Sequence, residues 1–369
     1  MKKKEILSIA LFFTVICSAY LVWPLFRNHV DTENHENRDL AEFPKFNLTS
    51  INDFPNGVEN YVNDHLPFRN QLVKLNGMIN YFVFKTSTSD SVVIGRDGWL
   101  FYANKDDGDP IACYQGKNTV SEDELKLIAE NLIKTRDNLA ADGIDFAVLI
   151  CPNKERVYSS EMPFYLGEPG EIYAVKQIYD YISANTDIKI VYPYDEFIQA
   201  QQNLGKNAIL YHKTDTHWNE LGAYIGTKAL LEKFGIEMPA YNDENVRIVE
   251  SDDTSGDLIA MLNMYDIISS GKTYTLEDYS SNTTECEIWE YYGSIRYHAS
   301  DADPRKIMIS RDSFGRAMSE EIATQFSSST MIHRRIFTND MVKEEKPDIF
   351  VLETVERYAS DLLLSYVYE

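Results

Sequence analysis

No two cysteines in this chain stand at a metal-binding spacing, and there are only four among 369 residues. Cys17 falls inside an apolar run, leaving Cys113, Cys151 and Cys286. Three is odd, so at most one intrachain disulfide forms. A disulfide framework is therefore excluded, and the fold must be held by its core, for which the length suffices. Positive charge is scarce as well: 35 Lys and Arg stand against 58 Asp and Glu, a formal charge of −23. That balance excludes nucleic acid, which selects basic surfaces. It disfavours a highly anionic ligand for the same reason, unless basic residues gather locally. No internal repeat is present, and long apolar runs are absent with one exception.

The exception is Ile6 to Trp23, which carries no charge and follows Lys2, Lys3 and Lys4. A basic flank before about 18 apolar or small residues reads as a signal peptide or a transmembrane helix. Cleavage needs small residues at a defined site, yet Ser18-Ala19 runs straight into Tyr20-Leu21-Val22-Trp23. Val15 and Ile16 are too bulky to precede a lipid-modified cysteine at position 17. The expectation is an uncleaved anchor over residues 1–27, with the lysines in the cytoplasm and the rest of the chain outside the cell membrane. Residues 28–50 are polar and read as a tether. Residues 51–85 carry apolar side chains at mostly three- and four-residue steps, so 28–90 form a tether and helical segment ahead of a domain at 91–369.

Within 91–369, strand and helix signals alternate. Asp97-Gly98 between two apolar runs predicts a hairpin. Ser121 with Glu124 predicts a capping box, with the helix stopping near Gly143. Asp145 to Cys151, closed by Pro152, reads as a buried strand, as do Lys306 to Ser310 and Ile349 to Glu353. Helices are expected near 171–185, 195–204, 219–234 and 314–325, with strands at 188–192 and 208–211 and a helical last ten residues. This pattern predicts an α/β fold with a mostly parallel sheet covered by helices on both faces. Sites in such sheets form beyond the carboxyl ends of strands.

Two such places carry reactive groups. Ser313, in Arg311-Asp312-Ser313-Phe314-Gly315, follows one predicted strand and precedes a helix, where a serine serves as an N-cap or as a nucleophile. His217, in Asp215-Thr216-His217-Trp218-Asn219, has the chemistry of a general base, and Asp215 two residues earlier can curl back to orient it. The bland reading is capping by Asp215 or Asn219. His212 and His217 lie close together but lack a third ligand at a telling spacing, so no metal is expected.

These segments resemble a known family. Asp215-Thr216-His217-Trp218, with Asp312-Ser313-Phe314 downstream, is similar to the paired motifs of AlgJ/AlgX-type alginate O-acetyltransferases and the related bacterial DHHW proteins. Further matches are Glu36-Asn37-Arg38 with Phe43-Pro44, Asn63-Asp64-His65 with Pro67-Phe68-Arg69, Gly95-x-Asp97-Gly98-Trp99-Leu100-Phe101, and Pro152-x-Lys154-x-x-x-Tyr158. The resemblance spans residues 36–320. It implies an SGNH-hydrolase-like fold, with Ser313 as nucleophile, His217 as base and Asp215 as its orienter. The Asp-His pair preceding the serine is the order of this family rather than of ordinary SGNH hydrolases. Arg311 stands where the family often has glycine, so the Ser313 amide is the first oxyanion donor and Arg311 the second candidate.

Lys154 and Tyr158 are expected to line the cleft, and Trp218 to stack on a sugar or pack beside the histidine. The family reading implies an acetyl-serine intermediate, no cofactor, a polysaccharide acceptor and a membrane-bound O-acyltransferase partner of the MBOAT type. An acetylesterase using the same triad, and a non-catalytic scaffold of a polysaccharide assembly, are the alternatives.

Overall fold

Asp145–Cys151 forms a strand whose last six residues are all buried, and its alternation explains the whole sheet. Ala147, Leu149 and Cys151 face one apolar cluster while Phe146, Val148 and Ile150 face another. The period of two in a strand dictates that split. A strand apolar on both faces requires cover on both, which parallel sheets obtain from helices. The computed structural model describes residues 3–30, 40–46, 51–205, 207–244, 246–265, 267–277, 289–291, 293–299 and 302–369. Cys286 and the Glu36-Asn37-Arg38 segment lie outside them. Cys113 and Cys151 are free, buried thiols.

The chain divides into two units, Met1–Thr86 and Ser87–Glu369. In the first, the helix Lys3–Phe26 contains the stretch Ser8–Phe26, which is long and apolar enough to cross a membrane. Its Leu11, Phe12, Leu21 and Leu25 are exposed. Two shorter helices follow, Phe54–Asp64 and Arg69–Met78. The Asp64 carboxylate accepts the Ala41 amide at 2.8 Å, and Phe43 packs edge-on against Phe54 and Tyr61.

In the second unit the strands are β1 (Val92–Ile94), β2 (Leu100–Tyr102), β3 (Asp145–Cys151), β4 (Lys189–Val191), β5 (Arg247–Asp252), β6 (Lys272–Glu277), β7 (Trp289–Tyr291), β8 (Ser294–His298), β9 (Asp303–Arg311), β10 (Phe326–His333) and β11 (Ile349–Val355). The main sheet runs β4-β3-β11-β9-β10-β8-β7. Its first five strands are parallel, and β8 and β7 extend it antiparallel. The sheet is thus mixed, with a parallel body and an antiparallel edge. Helices Glu122–Ala141, Ala174–Asn185 and Glu356–Ser365 cover one face, and Tyr194–Leu204, Glu220–Glu232 and Ser319–Gln325 the other.

Local signals act as their chemistry requires. Asp97 and Gly98 both take positive φ, 48° and 83°, the hairpin-turn conformation that joins β1 to β2. The Ser121 hydroxyl accepts the Glu124 amide and the Glu124 carboxylate accepts the Ser121 amide, a complete capping box.

Three expectations need correction. Residues 208–211 form no strand; Tyr211 makes a single antiparallel bridge to Trp218, because the chain turns back at once. The helix expected at 314–325 is a 3₁₀ segment, Phe314–Met318, followed by Ser319–Gln325. Strands β5, β6, β7, β8 and β10 were not foreseen. Strand β10 reads Phe-Ser-Ser-Ser-Thr-Met-Ile-His, too polar to signal a buried strand, yet it pairs with β9 along most of its length.

Candidate active site

Two chain reversals meet beyond the carboxyl end of the parallel strands. The first follows β9. Asp312 donates its amide to Glu353 Oε2 at 2.9 Å, and its carboxylate accepts the amides of Phe314 at 2.8 Å and Val355 at 2.7 Å. The buried Asp312 side chain therefore stitches the turn to the end of β11 and presents Ser313 outward. Gly315 is required here, since a Cβ would lie 2.7 Å from Arg311 Cβ and 2.8 Å from Glu353 Oε2. Glu353 is fully buried and also accepts the Cys151 thiol at 3.0 Å. Burial and the neighbouring Asp312 charge push its carboxyl well up.

The second reversal is residues 210–219. It is closed by the Tyr211–Trp218 bridge, by the Asn219 amide to Leu210 O at 3.0 Å, and by Asn219 capping the helix Glu220–Glu232. The Asp215 carboxylate curls back to accept both the His217 amide, at 3.0 Å, and His217 Nδ1, at 2.7 Å. His217 Nε2 lies 2.8 Å from Ser313 Oγ. The structure thus brings Ser313, His217 and Asp215 into one hydrogen-bonded chain. Burial would raise the Asp215 carboxyl, but its hydrogen bonds and attraction to His217 and the Asp257 amide outweigh that and hold it below the ordinary range. The carboxylate stays ionised, as the orienter of an imidazole must.

Asp257, which no sequence pattern marked, completes the second turn. Its amide donates to Asp215 Oδ2 at 3.0 Å, and its carboxylate accepts the Thr216 amide and hydroxyl at 2.8 and 2.6 Å. Asp215, His217 and Asp257 offer donor atoms within 4.8 Å of one another, a spacing open to a cation. Each of those carboxylate oxygens accepts a hydrogen bond from the protein.

The other sequence candidates do different work. Lys154 is 1% exposed, and its ammonium donates to the carbonyls of His212, Lys213 and Asp215 at 2.9, 3.1 and 2.7 Å. It fills the inside of the His217 turn rather than the cleft, and burial lowers it to about 8. Tyr158 is buried too, stacked on Trp99 at 4.1 Å with its oxygen accepting the Leu210 amide at 2.8 Å. Trp218 has no face to offer a sugar. Its ring lies between Phe197 and Phe314 and over Gly226, and its Nε1 donates to Phe314 O at 2.9 Å. The Arg311 guanidinium is buried as a strut that donates to the carbonyls of Asp312 and Gly293, both at 3.0 Å. Lys154 and Tyr158 were expected to line the cleft and Arg311 to serve the oxyanion, and packing turns each inward; Trp218 takes the second of its two expected places, packed beside the histidine.

The cleft above Ser313 has a volume of about 960 Å³. Its lining is polar and acidic: Glu220, Asp252, Asp253, Glu320 and Glu321 face a single arginine, Arg316, among the described residues. Burial, with Glu320 and Glu220 nearby, pushes the Glu321 carboxyl up to about 8. A raised folded-state value makes the native protein bind more protons than the unfolded chain between about pH 4.5 and 8. Stability from this group is therefore full below pH 4.5 and is lost as pH rises through 8, by up to about 5 kcal/mol. Glu321→Gln is expected to raise the urea midpoint at pH 8 and leave it nearly unchanged at pH 4. An equal gain at both values would show that the carboxyl is not held neutral.

A family model described as the SGNH hydrolase-like domain of the acetyltransferase AlgX matches residues 92–287, a span that includes Asp215 and His217 and ends before Ser313. The chain is 28% identical over 182 residues to a probable alginate O-acetylase AlgJ of Pseudomonas putida, covering 48% of this chain and 44% of that protein. To the Pseudomonas fluorescens protein of the same description it is 28% identical over 208 residues, covering 54% and 48%. The chain thus spans about half the length of these curated relatives. Among solved structures, Bacillus cereus PatB1 with a sulfonyl adduct superposes with a TM-score of 0.53 at 13% identity, over 75% of this chain and 99% of PatB1. That likeness is one of fold. With more than half its length matched by the family model, this chain belongs to the family of the SGNH hydrolase-like acetyltransferase domain of AlgX.

Proposed function

We propose that the second unit transfers an acetyl group to hydroxyls of a cell-surface or secreted polysaccharide through an acetyl-serine at Ser313. The observation that carries this is the relay Ser313 Oγ–His217 Nε2–Asp215 at 2.8 and 2.7 Å. His217 takes the Ser313 proton as Oγ bonds to the carbonyl carbon of an acetyl donor, and returns it to the leaving group. In the second step a sugar hydroxyl gives its proton to His217 and attacks the acetyl carbon. The ester bond to Oγ then breaks, and Oγ recovers the proton.

The Phe314 amide is committed to Asp312, whereas the Ser313 amide has no acceptor among the described residues. The Ser313 amide is therefore the first donor to the oxyanion. The Ser8–Phe26 stretch would hold the domain to the outer side of the membrane, with Lys2, Lys3 and Lys4 inside. There an MBOAT-type membrane O-acyltransferase would supply the acetyl group, as the family likeness suggests, and tethering raises its effective concentration.

The acidic cleft favours an uncharged glycan, since among the described residues its lining sets six acidic side chains, of which burial raises Glu321, against one arginine. Full-length protein in detergent, given p-nitrophenyl acetate, is expected to acetylate a neutral oligosaccharide and leave a polyuronate oligomer unmodified at physiological salt. Equal acetylation of both would overturn the charge argument. Release of acetate alone, whatever the acceptor, would make the protein an esterase.

A further inference from the structure

Beside the Ser313 relay, the same cleft holds a second histidine–carboxylate pair that the relay does not use. His212 Nδ1 lies 2.8 Å from Asp253 Oδ2. Asp253 is fixed on every side: its side chain is 1% exposed, its other oxygen accepts the Ser255 amide at 2.8 Å, and its own amide donates to Gly271 O at 2.9 Å. A buried carboxylate on Nδ1 sets the imidazole orientation and tautomer and leaves Nε2 as the acceptor nitrogen. No partner for His212 Nε2 exists among the described residues, and the ring lines the cleft.

The backbone makes His212 a neighbour of His217. The Tyr211–Trp218 bridge is antiparallel, and the His212 amide donates to His217 O at 3.2 Å, so the two histidines stand opposite one another. Opposed residues of an antiparallel pair project to the same face. Ser313 already occupies His217 Nε2, so His212 is not needed to activate the nucleophile.

We propose that His212, oriented by Asp253, is an acceptor-binding residue: its Nε2 takes a hydrogen bond from a hydroxyl of the incoming sugar and aligns that sugar with the acyl-enzyme. This rests on the acyl-transfer reading above. A neutral polyhydroxyl ligand suits the pair, because the carboxylate already holds Nδ1 and leaves Nε2 to accept from a hydroxyl.

The test separates the two half-reactions in the full-length protein. The first is the burst of p-nitrophenol from p-nitrophenyl acetate; the second is the partition of the acyl-enzyme between a neutral oligosaccharide and water. His212→Ala is expected to keep the burst rate within about twofold, raise KM for the oligosaccharide about tenfold, and shift the partition about tenfold toward acetate. Asp253→Asn is expected to shift partition in the same direction by less, and His212→Gln, which keeps an acceptor atom, to restore part of the transfer. An unchanged KM and partition in His212→Ala would overturn the proposal. So would a tenfold loss of burst, which would place His212 in the service of Ser313. Absence of any Ser313-dependent burst in the unaltered protein would overturn the acyl-enzyme reading itself, and this proposal with it.

Discussion

Ser313→Ala is expected to abolish the acyl-enzyme burst and lower acetyl transfer on the order of 10⁴-fold or more, while the fold stays intact. The size follows from the role: a serine and its base act as a unit, so removing one forfeits the covalent route entirely. The stability effect should stay within about 0.5 kcal/mol, because Ser313 is exposed and, among the described residues, its hydroxyl bonds only to His217. Mass spectrometry of the protein quenched with p-nitrophenyl acetate should find an acetylated peptide containing residue 313 in the unaltered chain and none in the variant. Transfer that survives in Ser313→Ala would make this domain a non-catalytic scaffold, and Asp312-Ser313-Phe314 a turn and nothing more.

Lys154→Met is expected to have the second largest effect, although Lys154 touches neither Ser313 nor His217 side chains. Its ammonium holds three carbonyls of the turn that carries both Asp215 and His217. Burial disfavours that charge, and the fall from 10.5 to about 8 corresponds to about 3 kcal/mol recovered when the charge is removed. Against this, three buried carbonyls lose their donor at about 1–3 kcal/mol each. The net loss should be a few kcal/mol, read as a lower urea midpoint. The rate should fall about 100-fold, since a small displacement of the base is enough to spoil the attack geometry. A variant with the normal burst rate would show that the 210–219 turn holds itself.

These two residues also mark how far the sequence could be read. Ser313 and His217 were legible because Ser313 follows an apolar strand, His217 follows an apolar run, and both sit in motifs that recur together in a family. Lys154 was legible only as a cleft-lining candidate. It stands in the run Asn153-Lys154-Glu155-Arg156 after β3, and all four residues are buried. Glu155 accepts the Tyr102 amide at 2.9 Å, and Arg156 pairs with Glu356 at 3.1 Å. The segment is a clamp joining the β1–β2 hairpin, the His217 turn and the end of β11. All but one of its side-chain and capping hydrogen-bond partners, Gly170, lie 42 to 203 residues away, too far for any local pattern to carry the information.

The elements that sequence alone determined are those whose signal is local: the uncharged run after three lysines, the Asp97-Gly98 turn, the Ser121 cap, and the apolar strands β3, β9 and β11. Each rests on a backbone or solvation preference expressed within a few residues. Tertiary structure decided which charged and aromatic side chains face the cleft. Trp218, Arg311 and Lys154 turned inward, while Asp257 and Asp253, silent in sequence, and His212, weighed there only as a metal ligand, came to stand around the relay. Burial is a property of neighbours, and here the neighbours come from separate strands and turns brought together only by the sheet.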